Sequence, residues 1–134
     1  PVVRALFDYG DALGIAFQIV DDILDYGGTA AVIGKNTGDD FRERKLTLPV
    51  ILAVAAASPE ERAFWVRVIE KGDQRPEDLA EAMVILSRHG ALAAARDVAM
   101  HWAERARQAL CNLKESDLKD ALSELADFVV KRVS

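Results

Sequence analysis

The sequence predicts an all-α fold, a helical bundle with short connections. Apolar residues recur at three- and four-residue intervals along most of the chain, which is the period of an amphipathic helix. No stretch of strict apolar–polar alternation, the pattern of a half-buried strand, stands out. Helix caps, prolines and glycines also stand where helices are expected to begin and end. We therefore expect at least six helices and no sheet.

The first predicted helix extends from Val2 to Tyr26, where the glycines at 27 and 28 end it. Its apolar residues fall near one face: Leu6, Leu13, Phe17, Val20 and Leu24. Residues 29–37 are predicted to form a loop. Asp40, with Glu43 three residues later, fits a capping-box-like start to a short helical turn.

Five further helices are predicted, four of them from signals at their starts. Thr47 caps a helix that should run to about Ala57, with a proline tolerated in its first turn. Ser58-Pro59 starts the next, which should run to about residue 71 before Gly72 stops it. Pro76-Glu77-Asp78 starts another that should end near residues 89–90. A long helix is predicted from residue 91 to about 113, and Ser116-Asp117 caps the last one.

The composition limits the classes of protein to be considered. The 134 residues suffice for one compact domain, and 51% are apolar, so a sizeable core rather than disorder is expected. A net charge of -5 argues against nucleic acid as a partner. A single cysteine, Cys111, excludes an internal disulfide and fits a cytoplasmic protein. The longest charge-free apolar run, Leu46 to Ala57, is too short for a transmembrane segment.

One segment of the first helix combines acidic and apolar residues in an unusual way. Gln18, Asp21, Asp22 and Asp25 are related by three- and four-residue steps, so they share a helix face. The rest of this segment is almost wholly apolar. Three carboxylates on such a helix repel one another and are costly to desolvate, so a cation is expected to compensate them.

Magnesium is the cation that suits these ligands. It prefers hard oxygen donors and is usually held by one or two carboxylates together with substrate phosphates. No cysteine–histidine cluster competes as a zinc site, and the acids lack EF-hand spacing. A solvated acidic helix face without a ligand would fit a lone DDxxD pattern equally well. The downstream pair Gly34-Lys35 and the turn at Gly38-Asp39-Asp40 favour a ligand site instead.

These residues resemble a known enzyme family. Residues 14–25 fit the form GxxFQxxDDxxD through Gly14, Phe17, Gln18, Asp21, Asp22 and Asp25. The same family carries a similar stretch downstream, matched here by residues 34–40 and by Glu43, Lys45, Thr47, Leu48 and Pro49. The match spans roughly a third of the chain, from Tyr9 to Ile51. The chain resembles the C-terminal half of a trans-isoprenyl (polyprenyl) diphosphate synthase, most closely a bacterial octaprenyl or decaprenyl diphosphate synthase.

The resemblance implies a fold and an activity. Residues 1–134 would form a single partial domain, the C-terminal part of the isoprenoid synthase (class I terpenoid synthase) fold. The parent enzyme would be a homodimeric prenyltransferase. It would ionise an allylic diphosphate with Mg²⁺, join it to isopentenyl diphosphate and release a proton. The family's first aspartate-rich motif and its isopentenyl diphosphate site would lie N-terminal to Pro1. This chain alone is therefore expected to be inactive.

The resemblance also implies roles for individual residues. Asp21 and Asp22 would be metal ligands with catalytic importance, and Asp25 would contribute to the metal site in the second sphere or through water. Gln18 would place its amide oxygen near the allylic cation, and Lys35 would contact the allylic diphosphate. Lys45 is a further candidate for substrate binding. A local pairing of Lys45 with Asp40 or Glu43 is at least as good an interpretation.

Several alternatives stay open at this stage. A non-catalytic helical partner subunit of a complete synthase would be expected to have lost its aspartates, which are present here. A class I terpene cyclase shares the fold but usually carries a downstream metal motif with Asn, Ser or Thr, and Glu.

The resemblance has one local departure: Arg44 stands where relatives often have glycine. His89, His101 and Cys111 are expected to carry no chemistry, with the cysteine packed as a small apolar residue. Product length, the allylic primer and the role of Lys131-Arg132 are not predicted.

Overall fold

The protein is represented by a computed structural model that describes residues 1–27 and 37–133. Within these ranges the secondary structure is helical and contains no strand. The helices in chain order are α1 (Val2–Asp25), α2 (Asp39–Arg42), α3 (Leu48–Ala55), α4 (Pro59–Trp65), a π-helix (Val66–Glu70), α5 (Asp78–Arg88), α6 (Ala91–Ala109) and α7 (Asp117–Lys131). The all-α prediction and the expectation of at least six helices are confirmed.

The serine caps act as the sequence predicts. Ser58 Oγ accepts a hydrogen bond from the backbone N–H of Glu61 at 3.2 Å, and Glu61 Oε1 accepts one from the N–H of Ser58 at 2.9 Å. This reciprocal pair forms a capping box at the start of α4. Ser116 Oγ accepts from the N–H of Lys119 at 3.1 Å and caps α7. Thr47 occupies the predicted cap position of α3, although its side chain accepts no capping hydrogen bond.

The helix predicted to start at Ser58-Pro59 and to run to about residue 71 is confirmed, since helical structure extends from Pro59 to Glu70, with a change from α to π geometry at Val66. Two other predictions about local structure are wrong. Asp40 does not cap α2, because that helix begins after Gly38, whose φ is +85°, and Asp40 lies within the helix. Cys111 is exposed rather than packed.

The chain divides into two compact units. The first consists of residues 1–21 and 96–134. Its core is built from Tyr9, Ala12, Ala106, Leu110 and Ala126. The Tyr9 hydroxyl donates a hydrogen bond to the carbonyl oxygen of Leu122 at 2.7 Å, which ties α1 to α7. Small buried side chains allow the helices of this unit to pack closely.

The second unit consists of residues 22–95. Its core includes the fully buried side chains of Tyr26, Val50, Val68 and Leu86, and Phe41 and Trp65 are almost as deeply buried. Tyr26 comes directly after α1 and Phe41 belongs to α2, so this core holds both the end of α1 and the short helix α2. Each helix in the described ranges is too short or too polar to cross a lipid bilayer.

Candidate functional site

Helix α1 is continuous to Asp25 and contains all four predicted polar residues, Gln18, Asp21, Asp22 and Asp25. The intervening residues Ile19, Val20, Ile23 and Leu24 are buried. Gln18 is exposed, Asp21 and Asp22 are half-buried, and Asp25 has only 2% of its surface exposed. The exposure of the four polar side chains therefore decreases towards the C-terminal end of α1. The boundary between the two units falls between Asp21 and Asp22.

In the first unit, an apolar groove lies beside the start of the motif. Its volume is about 380 Å³, and its lining includes Phe17, which precedes Gln18, and residues of α7. The guanidinium carbon of Arg132 lies 5.9 Å from the centre of the Phe17 ring, within the range of a cation–π contact. Arg132 therefore contacts Phe17, the residue that precedes Gln18 in the sequence.

In the second unit, Asp25 joins the end of α1 to the start of α2. Its Oδ2 accepts a hydrogen bond from the backbone N–H of Asp40 at 2.9 Å. Its backbone carbonyl oxygen accepts a hydrogen bond from the N–H of Gly38 at 2.7 Å. The Asp25 carboxylate therefore has a structural task in this position, and the sequence pattern did not predict it.

The pKa of Tyr26 reflects the negative charge around the end of α1. Burial raises the pKa of its hydroxyl, the negative charges of Asp25 and Asp40 raise it further, and Asp22 adds to the same effect. Burial and these nearby carboxylates together keep the Tyr26 hydroxyl neutral.

Lys45 has the local partners that were considered as its alternative interpretation. Its Nζ lies 3.0 Å from Glu43 Oε2 and 3.6 Å from Asp40 Oδ1. The hydrogen bond to Glu43 and the charge of that carboxylate raise the pKa of Lys45. Its ammonium is exposed, so these pairs are weak and exchangeable. Lys35, the other predicted substrate-binding lysine, lies outside the described residues.

The carboxylates suit a magnesium ion only if the substrate completes its coordination. Residues 1–27 and 37–133 contain no group of three His, Cys, Asp or Glu side chains placed to hold a metal ion. Asp21 and Asp22 are adjacent and half-buried, whereas Asp25 uses one oxygen to bind Asp40. Magnesium commonly takes one or two protein carboxylates and completes its shell with phosphate oxygens and water. The arrangement fits that mode and does not form an all-protein cage.

Sequence comparison places these residues among known proteins. The family model described as Polyprenyl synthetase matches residues 1–86. The octaprenyl diphosphate synthase of Haemophilus influenzae is 41% identical over 129 residues, which cover 96% of this chain and 39% of that protein. The chain therefore spans about 40% of the length of this relative.

Structural comparison gives the same relationship. A decaprenyl diphosphate synthase from Rhodobacter capsulatus superposes with a TM-score of 0.92 and 64% identity, over 98% of this chain and 41% of that one. A polyprenyl synthase from Caulobacter crescentus, solved with calcium and isoprenyl diphosphate, gives a TM-score of 0.88 and 48% identity. It covers 97% of this chain and 40% of its own. The predicted isoprenoid synthase architecture is thereby confirmed.

Proposed function

The chain belongs to the polyprenyl synthetase family, and we propose that it forms the C-terminal half of a polyprenyl diphosphate synthase. The enzyme would condense isopentenyl diphosphate with an allylic diphosphate to lengthen a prenyl chain. The observation that carries this proposal is the placement of Gln18, Asp21 and Asp22 on α1, within a chain 64% identical to a decaprenyl diphosphate synthase.

The proposed reaction begins with cleavage of the allylic C–O bond. The electron pair leaves with the diphosphate and an allylic cation remains. The double bond of isopentenyl diphosphate then supplies the electrons of the new C–C bond, and loss of a proton restores a double bond. Mg²⁺, when bound, would neutralise the charge that builds up on the departing diphosphate.

Residues of this chain would support the ionisation step in distinct ways. Asp21 and Asp22 would hold magnesium against the diphosphate, since both are half-buried on α1. Gln18, one turn before Asp22, would direct its amide oxygen towards the allylic cation and stabilise it electrostatically. Asp25 would act from the second sphere, because one of its oxygens already binds the N–H of Asp40.

Two lysines are proposed to bind the allylic diphosphate. Lys35 would contact it as a point charge. Lys45 would have to exchange its exposed pairs with Glu43 and Asp40 for phosphate oxygens. The Caulobacter crescentus relative, solved with calcium and isoprenyl diphosphate, supports binding of a divalent cation and a prenyl diphosphate by this family.

The two other classes of function are less well supported. A non-catalytic partner subunit has no need for the aspartates on α1, and the relatives reported above are themselves named synthases. A terpene cyclase is not among the relatives named above. A homodimeric state and a cytoplasmic location remain predictions of the family resemblance.

The direct test is an assay of the longer protein that contains this chain. The purified protein would be incubated with labelled isopentenyl diphosphate, an allylic diphosphate and magnesium, and the products extracted into organic solvent. The proposal predicts prenyl products that disappear when EDTA removes the metal. Absence of product with every allylic primer from geranyl to geranylgeranyl diphosphate would overturn it.

A further inference from the structure

Arg44 has a backbone conformation that normally favours glycine. Its φ is +63°, and it is the sole non-glycine residue with a positive φ in residues 1–27 and 37–133. A Cβ atom is unfavourable in this left-handed region. An arginine here therefore needs an interaction that offsets the backbone cost.

The guanidinium of Arg44 provides such an interaction. Its Nε donates a hydrogen bond to the carbonyl oxygen of Ile69 at 2.9 Å, and its Nη2 donates to the carbonyl oxygen of Glu70. We call these two hydrogen bonds the Arg44 bridge. Ile69 and Glu70 are the last residues of the π-helix, where backbone carbonyls have no partner within the helix.

The other carbonyls of the π-helix are also satisfied. Gln74 Nε2 donates to the carbonyl of Val68 at 3.0 Å, and two backbone N–H groups from residues 71 and 73 bond those of residues 66 and 67. Gln74 Nε2 also lies 2.8 Å from the carbonyl oxygen of Phe41 in α2. Arg44 and Gln74 together attach residues 41–44 to the end of the π-helix.

Gly72 leaves room for the Arg44 bridge. A Cβ atom at this position would lie 2.9 Å from Cζ, Nε and Nη1 of Arg44, which is closer than van der Waals contact permits. The φ of Gly72 is also positive, at +72°. Because Gly72 has no side chain, the guanidinium of Arg44 fits beside it.

The segment from residue 37 to 45 is thus held at both ends. At its start, the N–H groups of Gly38 and Asp40 bond Asp25. At its end, Arg44 bonds the π-helix, and the N–H of Lys45 donates to the carbonyl of Asp40 at 2.8 Å. Lys45 follows Arg44 directly, so a change in the Arg44 backbone moves Lys45 relative to Asp40 and Asp25.

We infer that Arg44 is a positioning residue for the allylic diphosphate: the Arg44 bridge fixes the backbone that places Lys45 and Asp40 beside Asp25. This inference rests on the proposed function. Arg44 itself acts through its neighbours and touches no substrate. A purely structural cap on the π-helix would change stability only, whereas a positioning residue also changes the affinity for the allylic substrate.

The test uses the longer protein that contains this chain and compares Arg44→Gly with Arg42→Ala. Glycine accepts the left-handed conformation, so Arg44→Gly removes the bridge without backbone strain. Arg42 is an exposed arginine of the same segment that pairs with Asp39, and it controls for the loss of one positive charge. Initial rates would give kcat and the KM for each of the two diphosphates, well below the thermal transition of each variant.

The expected result is a rise of about 3- to 10-fold in the KM for the allylic diphosphate in Arg44→Gly, comparable to the loss of one charged hydrogen bond. In Arg44→Gly, the kcat and the KM for isopentenyl diphosphate should stay within about twofold of wild type. In Arg42→Ala, the kcat and the KM for both diphosphates should stay within the same range. An unchanged KM for the allylic diphosphate in Arg44→Gly would overturn the inference, even if the melting temperature falls.

Gly72→Ala supplies a second and independent variant. Its new methyl group should displace the Arg44 guanidinium and raise the KM for the allylic diphosphate in the same direction. In the Arg44→Gly background the same change should add less than about twofold to this KM, because no guanidinium remains to be displaced. Additive effects of the two changes on KM would contradict the inference.

Failure of the inference and failure of the proposed function give different results. If the wild-type protein makes prenyl products but Arg44→Gly keeps its KM, the function stands and the positioning role falls. If the wild-type protein makes no product, the function and the positioning role both fall. The thermal stabilities of wild type, Arg44→Gly, Gly72→Ala and the double variant would then still show whether Arg44 and Gly72 are coupled.

Discussion

The buried carboxylate of Asp25, at the end of α1, accepts a hydrogen bond from the backbone N–H of Asp40 in α2. With the bond from the N–H of Gly38 to the Asp25 carbonyl, this pairing attaches the start of α2 to the end of α1. The third aspartate of the motif therefore has a task in folding as well as the second-sphere role proposed for it.

Substitutions of Asp25 test its contribution to stability. Asp25→Ala should destabilise the protein by about 1–3 kcal/mol, because the partly buried N–H of Asp40 loses its acceptor. Asp25→Asn retains a side-chain oxygen and should cost less. Urea unfolding monitored by circular dichroism would measure both values. Asp97→Ala, at an exposed position of α6, is the control and should stay within about 0.5 kcal/mol of wild type. Equal midpoints for Asp25→Ala and wild type would refute the structural role.

Acid should weaken the second unit through Glu61. Its Oε1 lies 2.9 Å from His89 Nε2, and Arg88 pairs with its Oε2. A hydrogen bond from the backbone of Ser58, followed by that of His89, lowers the pKa of Glu61 from its ordinary value of 4.5 to about 2. Because the folded pKa lies below the unfolded one, this stabilisation is complete above pH 4.5 and is lost as the pH falls towards 2.

Thermal unfolding at a series of pH values would test this linkage. The melting temperature of wild type should fall more steeply than that of Glu61→Gln between pH 4.5 and 2.5, because glutamine cannot titrate. Glu60→Gln, at the adjacent exposed position, should follow the wild-type curve. Parallel curves for wild type and Glu61→Gln would show that Glu61 does not contribute to the acid sensitivity.

The hydroxyl of Tyr9 should stabilise the first unit. It donates to the carbonyl oxygen of Leu122 at 2.7 Å, and burial raises its pKa, so it remains a neutral donor at physiological pH. Tyr9→Phe should therefore cost about 0.5–1.5 kcal/mol, the usual net value of such a bond. Equilibrium unfolding in urea would measure it. A more stable Tyr9→Phe variant would mean that the hydroxyl is better hydrated in the unfolded chain than bonded in the folded one.

Local features of the sequence predicted most of the helices and the arrangement of the motif. The three- and four-residue spacing matches the helical repeat. It therefore predicted a shared helix for Gln18, Asp21, Asp22 and Asp25. Ser58 and Ser116 cap their helices because capping hydrogen bonds join residues three apart in sequence. Contacts of this range can be predicted from the residues themselves.

Contacts between distant residues could not be predicted in this way. Arg44 bonds residues 25 and 26 positions away, Gln74 bonds a carbonyl 33 positions away, and Glu61 pairs with residues 27 and 28 positions away. These partners follow from tertiary packing, which has no periodic signature in a single sequence. The α-to-π change at Val66 is of the same kind, since side chains from outside the helix satisfy its last carbonyls. The family pattern pointed to Arg44 only as a departure from glycine.

The 134-residue chain alone should not catalyse prenyl transfer. It spans about 40% of the length of its relatives. We propose that the isopentenyl diphosphate site required for the reaction lies in the part of the enzyme that this chain does not cover. Without that site the two substrates are not held together, and such positioning can supply about 7–11 kcal/mol of barrier lowering. The assay with labelled isopentenyl diphosphate would be run on this chain and on the longer protein in parallel. Comparable rates for the two would show that the site assignment is incomplete.

The magnesium dependence of turnover in aspartate variants tests the central claim most directly, namely that Asp21 and Asp22 hold the metal on the departing diphosphate. The longer protein would be assayed over a range of magnesium concentrations as wild type, Asp21→Asn, Asp22→Asn, Asp25→Asn and the control Asp97→Asn. We predict that Asp21→Asn and Asp22→Asn each lower kcat by about 100-fold or more, as expected when stabilisation of transition-state charge is removed. Asp25→Asn should lower kcat by about 10-fold, the lower end of the usual cost of losing an outer-sphere partner, and Asp97→Asn should leave it unchanged. Mild and equal effects at Asp21, Asp22 and Asp25, with an unchanged magnesium requirement, would contradict the account.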